Sequence, residues 1–148
     1  MKTWTIGLMI WIALGSWLAA ADDVKLDAAW QGKWQVTAMH SGDVELPEEF
    51  VKKISMQVEQ ANMTWQVNDQ SIKARVTFVG TEDKPRPIDI VGVGGENDGR
   101  LYEGIYELAD DVLKLCLNTT TNVKQRPIEF AAPAGSTFVV IEFKKEKK

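Results

Sequence analysis

Chemistry that needs a nucleophile beside a base has little to start from in this chain. His40 is its sole histidine and Cys116 its sole cysteine. Gly42 and Asp43 set His40 next to a loop, the usual place of a solvated histidine, and no second histidine completes a zinc set. Cys116 lies between Leu115 and Leu117, on the face of Val112 and Lys114 and opposite the leucine stripe. That pattern predicts a half-buried, inert thiol with no activating partner. Carboxylates cluster at Glu48-Glu49, Glu82-Asp83, Glu96-Asn97-Asp98 and Asp110-Asp111, and a pair of them could do acid–base work. All fall in loops or helix starts, where solvated turns account for them. The stretch from Gly92 to Gly99 has glycines like a phosphate cradle and acidic residues like a calcium loop, but completes neither pattern, so a hairpin connection is expected. No enzyme, metal site or cofactor is expected.

Arg126 stands apart because Pro127 fixes the chain just after it. A guanidinium at a barrel rim can pair with an anionic ligand or, as a structural ion pair, with Glu129. Asn62-Met63-Thr64 and Asn118-Thr119-Thr120 have the form of glycosylation sequons, idle in a bacterial host.

The elements that must position these residues are strands. Trp34, Val36 and Ala38 alternate with Lys33, Gln35 and Thr37. Met63, Trp65 and Val67 alternate with polar residues, and so do Ile72, Ala74, Val76 and Phe78. Period-two patterning puts one face of each segment in a core and the other in water. Turn residues recur at intervals of about ten, as in an all-β sandwich or barrel. Tyr102 to Leu108 and Val112 to Leu117 should pair antiparallel through Ala109-Asp110-Asp111. Thr137 to Phe143 is apolar on both faces, which suits a closing strand covered on two sides. Two short helices are expected, one from Asp22 to Trp30 and one with Pro47 as its first residue, running to Lys53. The expected fold is all-β, a small antiparallel up-and-down β-barrel of about eight to ten strands that leaves no open edge.

Residues 1–21 read as a cleavable signal peptide. Lys2 precedes an apolar run, Trp4 to Leu18, too short to span a bilayer comfortably, and Ala19-Ala20-Ala21 places small residues for a cut after Ala21. No cysteine near the cut could carry a lipid. Residues 22–148 then form one domain in the periplasm or outside the cell, with no second membrane-spanning stretch. The net charge of −4 gives no electrostatic footprint for nucleic acid, and Lys144 to Lys148 reads as a solvated tail. With one cysteine there is no intramolecular disulfide, so stability must come from packing.

Gly32-Lys33-Trp34 has the G-x-W form that opens the first strand of lipocalin-type barrels. Gly104 to Leu108, Leu113 to Leu117 and Arg126 to Phe130 follow in order, with Pro85 to Ile90 and Ala132 to Ser136 between and after them. Together these blocks resemble a lipocalin-like domain family of unknown function that is expanded in planctomycete bacteria. The likeness covers nearly all of residues 22–148. It departs at Trp30, where an aliphatic residue would be expected, and at Lys144 or Lys145, where such barrels often stack an arginine on the entry tryptophan. The resemblance implies a lipocalin-like barrel and export, and no activity. Two functions stay open. One is a non-enzymatic module binding a small apolar or amphipathic ligand, with Trp34, Trp65, Phe78 and Tyr106 lining or flooring the cavity and Arg126 at the rim. The other is a filled barrel whose loops bind an envelope or extracellular protein.

Overall fold

A computed structural model describes residues 28–79, 85–120 and 124–147. Residues 1–21, where the sequence suggests a signal peptide, most of the helix expected from Asp22, and Glu82-Asp83 lie outside the described residues. Of that first helix, Ala28–Trp30 is a single 3₁₀ turn.

Nine antiparallel strands follow in one sheet: β1 (Gly32–Ser41), β2 (Val44–Glu45), β3 (Ile54–Glu59), β4 (Asn62–Val67), β5 (Gln70–Phe78), β6 (Arg86–Val93), β7 (Leu101–Ala109), β8 (Val112–Asn118) and β9 (Phe138–Lys145). Apart from the two-residue β2 at the end of β1, each strand of the series from β3 to β9 pairs with its sequence neighbours, and β1 pairs with both β3 and β9. The result is the expected up-and-down, lipocalin-like closed barrel, with eight strands in its wall. The second helix is one turn, α1 (Glu48–Val51), shorter than expected. Pro47 is its cap, with ψ of 145°, rather than its first helical residue.

Alternation makes the core. Trp34, Met56, Met63, Ile88, Leu113, Leu115 and Phe143 point inward and are almost wholly buried. In β1 the pattern breaks once. Val36 pairs with Phe143 and Ala38 with Glu142, so Thr37 is an extra residue bulged out of the β1–β9 ladder. A bulge of this kind shifts the parity of every residue after it. Ala38 therefore does not continue the inward row of Trp34 and Val36 as the sequence alternation suggests; Met39, opposite Ile141, packs against the core instead.

The β7–β8 hairpin forms as expected, Ala109 opposite Val112, with Asp110 at φ 54° in the tight turn. One position of β7, Gly104 opposite Leu117, is tightly fitted. A methyl group on Gly104 would run into the Leu117 side chain and come within 2.6 Å of the Cys116 carbonyl oxygen, which is main chain and cannot swing aside. Gly104→Ala should therefore lower stability by about 1–3 kcal/mol through overpacking, read as an earlier urea midpoint with an unchanged slope.

Candidate functional site

The two ends of the barrel differ. At one end Gly32, at φ 117°, turns the chain into β1 and leaves room for the Lys145 stem, whose Cε would lie 3.3 Å from a β-carbon there. The Lys145 ammonium stands 5.3 Å from the centre of the Trp34 ring and donates to the Ala29 carbonyl at 3.0 Å. The Trp34 indole Nε1 donates to the Trp30 carbonyl at 3.0 Å. Gln31 ties the same turn to the β3–β4 connection, donating to the Gln60 carbonyl and accepting from its amide. Lysine thus supplies the cation over the entry tryptophan that the G-x-W resemblance calls for, as a point charge rather than a stacked plane. Trp30, Phe78 and Tyr106 cluster here with ring centres 5.0 to 5.6 Å apart. This end is closed.

The opposite end is a mouth. Trp65, Val67, Ile72, Ala74, Ile90 and Leu117 line an open apolar cavity of about 210 Å³. Tyr102 is beside them, its hydroxyl donating to Asn97 Oδ1 at 3.0 Å. Asn97 belongs to the β6–β7 connection, where Gly94 N donates to Asp98 Oδ1 at 2.8 Å and the Asn97 carbonyl presses so closely on Gly92 that no side chain fits there. The glycine-rich stretch is the hairpin connection that the sequence predicts, and it walls one side of the mouth. Below the cavity the Trp65 and Phe143 rings meet at 5.4 Å, and the side chains of the core fill the barrel beneath.

A third arrangement lies on the outside. Asp89 and Glu103 face each other across β6 and β7, a like-charge pair that weakens a sheet unless countered. Arg126 counters it. Its Nη2 lies 2.7 Å from Asp89 and 3.5 Å from Glu103, and its Nη1 donates to the Ile88 and Gly104 carbonyls at 2.8 and 2.9 Å. The partners are these two carboxylates and not Glu129, and all three charged groups are three-quarters buried. Asn118, itself buried, anchors the same connection by donating to the Gln125 carbonyl and accepting from the Thr137 hydroxyl and the Thr120 amide. Held at these points, the segment lays Phe130, Ala132 and Phe138 over an outward row of Ile105, Cys116 and Val140. Cys116 is therefore fully buried, more than its strand alternation predicts. Burial pushes its thiol up to about 11, partly offset by its weak hydrogen bond to the Ala131 carbonyl.

Of the five residues singled out from the sequence for ligand binding, the structure brings one, Trp65, to the mouth cavity. Trp34 is sealed in the closed end, Phe78 and Tyr106 pack against Trp30 there, and Arg126 is on the outer wall. Ile72, Ala74, Ile90, Tyr102 and Leu117 complete the cavity. Ile72 and Ala74 had a signal, the inward row shared with Trp65, while Tyr102 and Leu117 come to the mouth only through strand register. His40 is a half-buried strand residue opposite Glu45 and Val140. Glu48 pairs with Lys52 on the surface, and Asp110 and Asp111 make a turn.

Comparison of the chain with protein-family models, curated proteins and solved structures gives no match.

Removing the Arg126 guanidinium leaves two facing carboxylates and two strand carbonyls without their donor. Arg126→Ala should cost about 2–4 kcal/mol, and Arg126→Lys, which keeps the charge but not the fork, should recover only part of it in urea unfolding. For Cys116 the folded state holds its proton to higher pH than the unfolded chain. Its contribution to stability should therefore be lost as pH rises from 9.0 towards about 11, and Cys116→Ala should remove that alkaline slope. At pH 8 the native thiol should react with iodoacetamide about 100-fold or more slowly than the urea-unfolded chain.

Proposed function

We propose that this chain is an exported, non-enzymatic, lipocalin-like module that binds a small apolar or amphipathic molecule at the barrel mouth. The observation that carries the reading is the apolar cavity between Trp65, Ile72, Ala74 and Leu117, open to solvent above an otherwise filled interior. Its volume of about 210 Å³ sets the scale of the ligand. A dry cavity of about 150 Å³ accepts benzene, and sites for drug-sized ligands begin at about 300 Å³. A single ring or a short alkyl chain fits; a long lipid does not. The Tyr102 hydroxyl and Asn97 at the lip offer a polar end to an amphipathic ligand. Membership of the lipocalin-like family expanded in planctomycetes and an address in the periplasm or outside the cell belong to the same proposal. They rest on the motif blocks and on the signal pattern of residues 1–21.

The filled lower barrel favours a second reading, an interaction module that uses its loops. Val44 and Phe50, on β2 and α1 near the mouth, are 57% and 41% exposed and would serve such a contact.

A series of straight-chain alcohols from butanol to dodecanol separates the two readings. With ligand binding, the Trp65 emission changes saturably, and affinity rises about threefold to fourfold per methylene before levelling off once the cavity is full. Ala74→Leu, which fills the cavity, abolishes the response while the far-ultraviolet circular dichroism stays unchanged. A Trp65 signal indifferent to every alcohol would remove the ligand reading. Terminal sequencing of the protein recovered from envelope and medium fractions is expected to begin at Asp22; a chain that retains residues 1–21 would exclude cleavage.

A further inference from the structure

The mouth is narrowed by main chain rather than by a side chain. Ile88, Ile90 and Gly92 form the inward row of β6, and Gly92 is buried opposite Ala74, which lines the cavity. At Gly92 that row brings no side chain to the mouth. The space that a β-carbon would take is held by the Asn97 carbonyl, with the Asn97 Cβ 2.9 Å away. The β6–β7 connection is thus folded back over the cavity, and its 3₁₀ turn (Gly95–Asn97) ends where a side chain of β6 would otherwise stand.

Two sets of bonds keep the turn there. At its base Gly92 N donates to the Arg100 carbonyl and Gly99 N to the Gly92 carbonyl, each at 2.9 Å, which closes the hairpin. At its tip the hold is a single bond. Among the described residues, the 3.0 Å bond from the Tyr102 hydroxyl to Asn97 Oδ1 is the only one that ties residues 94–98 to a side chain outside the connection. Tyr102 is placed for this by register: it lies opposite Ile90 on the inward face, and it lines the cavity together with Asn97. Little else stiffens the tip, which follows two glycines in the left-handed region, Gly94 and Gly95 at φ 76° and 63°.

We infer that this turn sets the breadth of ligand that the mouth admits: Asn97, held inward by Tyr102, excludes branched and cage-like molecules and passes an unbranched chain or a flat ring. Asn97 is then the specificity-determining residue and Tyr102 its positioning residue. The inference rests on the mouth reading proposed above and adds what limits the site. Exclusion works by clash, because a broad group would have to displace main chain held at base and tip, where a flexible side chain could swing aside.

Hexanol and 1-adamantanol test it, since each has one hydroxyl and they differ in breadth. Both are titrated against the Trp65 emission. In the wild-type protein 1-adamantanol should bind about tenfold or more weakly than hexanol, although it has the larger apolar surface. Tyr102→Phe keeps the ring and removes the bond; Asn97→Ala removes the same bond and leaves the Tyr102 hydroxyl in place. Each should raise the adamantanol-to-hexanol affinity ratio about tenfold or more. Loss of a polar contact to the ligand would instead weaken both alcohols alike and leave the ratio where it was. A wild-type protein that takes the two alcohols in order of their apolar surface, or a ratio unchanged in either variant, would overturn the inference. Saturable hexanol binding with an unchanged ratio defeats the size limit alone and leaves the mouth reading standing, whereas silence towards every alcohol removes both.

Discussion

Everything in this barrel depends on β1 being able to pair with β9. The ladder runs from Trp34 opposite Lys145 to Ser41 opposite Val139, and without it the sheet would leave two open edges. Only the first part of β1, from Gly32 to Gln35, also holds β3; beyond that the strand leans towards β9 and is backed by β2 and α1. The bulge at Thr37 lets one strand do both. It adds a residue where β1 leaves β3, and Thr37 Oγ1 donates across the seam to the Glu142 carbonyl at 3.2 Å. Gln35 closes the gap on the other side, its amide lying within 3.0 to 3.3 Å of the Val51, Lys52 and Ile54 carbonyls.

How much of this the sequence discloses varies with how local the cause is. The closed end is legible because Gly32-Lys33-Trp34 combines a backbone need, a positive φ, with a side chain that has one good place to go. The β7–β8 hairpin is legible because its turn and both stripes lie within one short stretch. Ile54, Met56 and Val58 alternate just as cleanly, and only their position right after the α1 residues hides the strand. The Thr37 bulge is invisible, since nothing in a threonine between a valine and an alanine marks an extra residue. The partners of Arg126 are hidden for another reason. Asp89 and Glu103 become neighbours only through the register of β6 on β7, so Glu129, close in sequence, looks like the natural partner.

The candidate sites divide along the same line. Aromatic residues on inward rows are easy to pick out, but the end of the barrel to which each belongs depends on strand length and register. Trp65 lies near the β4–β5 turn at the mouth, while Phe78, on the paired strand, runs to the far end and joins Trp30 and Tyr106. A wall of eight strands encloses little space once two indoles, two buried methionines and a phenylalanine point inward. What remains open is the small apolar mouth at one end; the other end is plugged by Trp30, Trp34 and Tyr106.

The seam also governs how the chain can fold. Thr37 and the Glu142 carbonyl that it meets are 105 residues apart, and Ala29 and Lys145 are 116 apart. The hairpins from β3 to β8 need only near neighbours and can form early. The last ladder has to close a loop of almost the whole domain, a large entropic cost met only when both end strands are present. The rate-limiting step in refolding should therefore be the meeting of β1 with β9, leaving an open, hairpin-rich sheet as the state that precedes the native barrel.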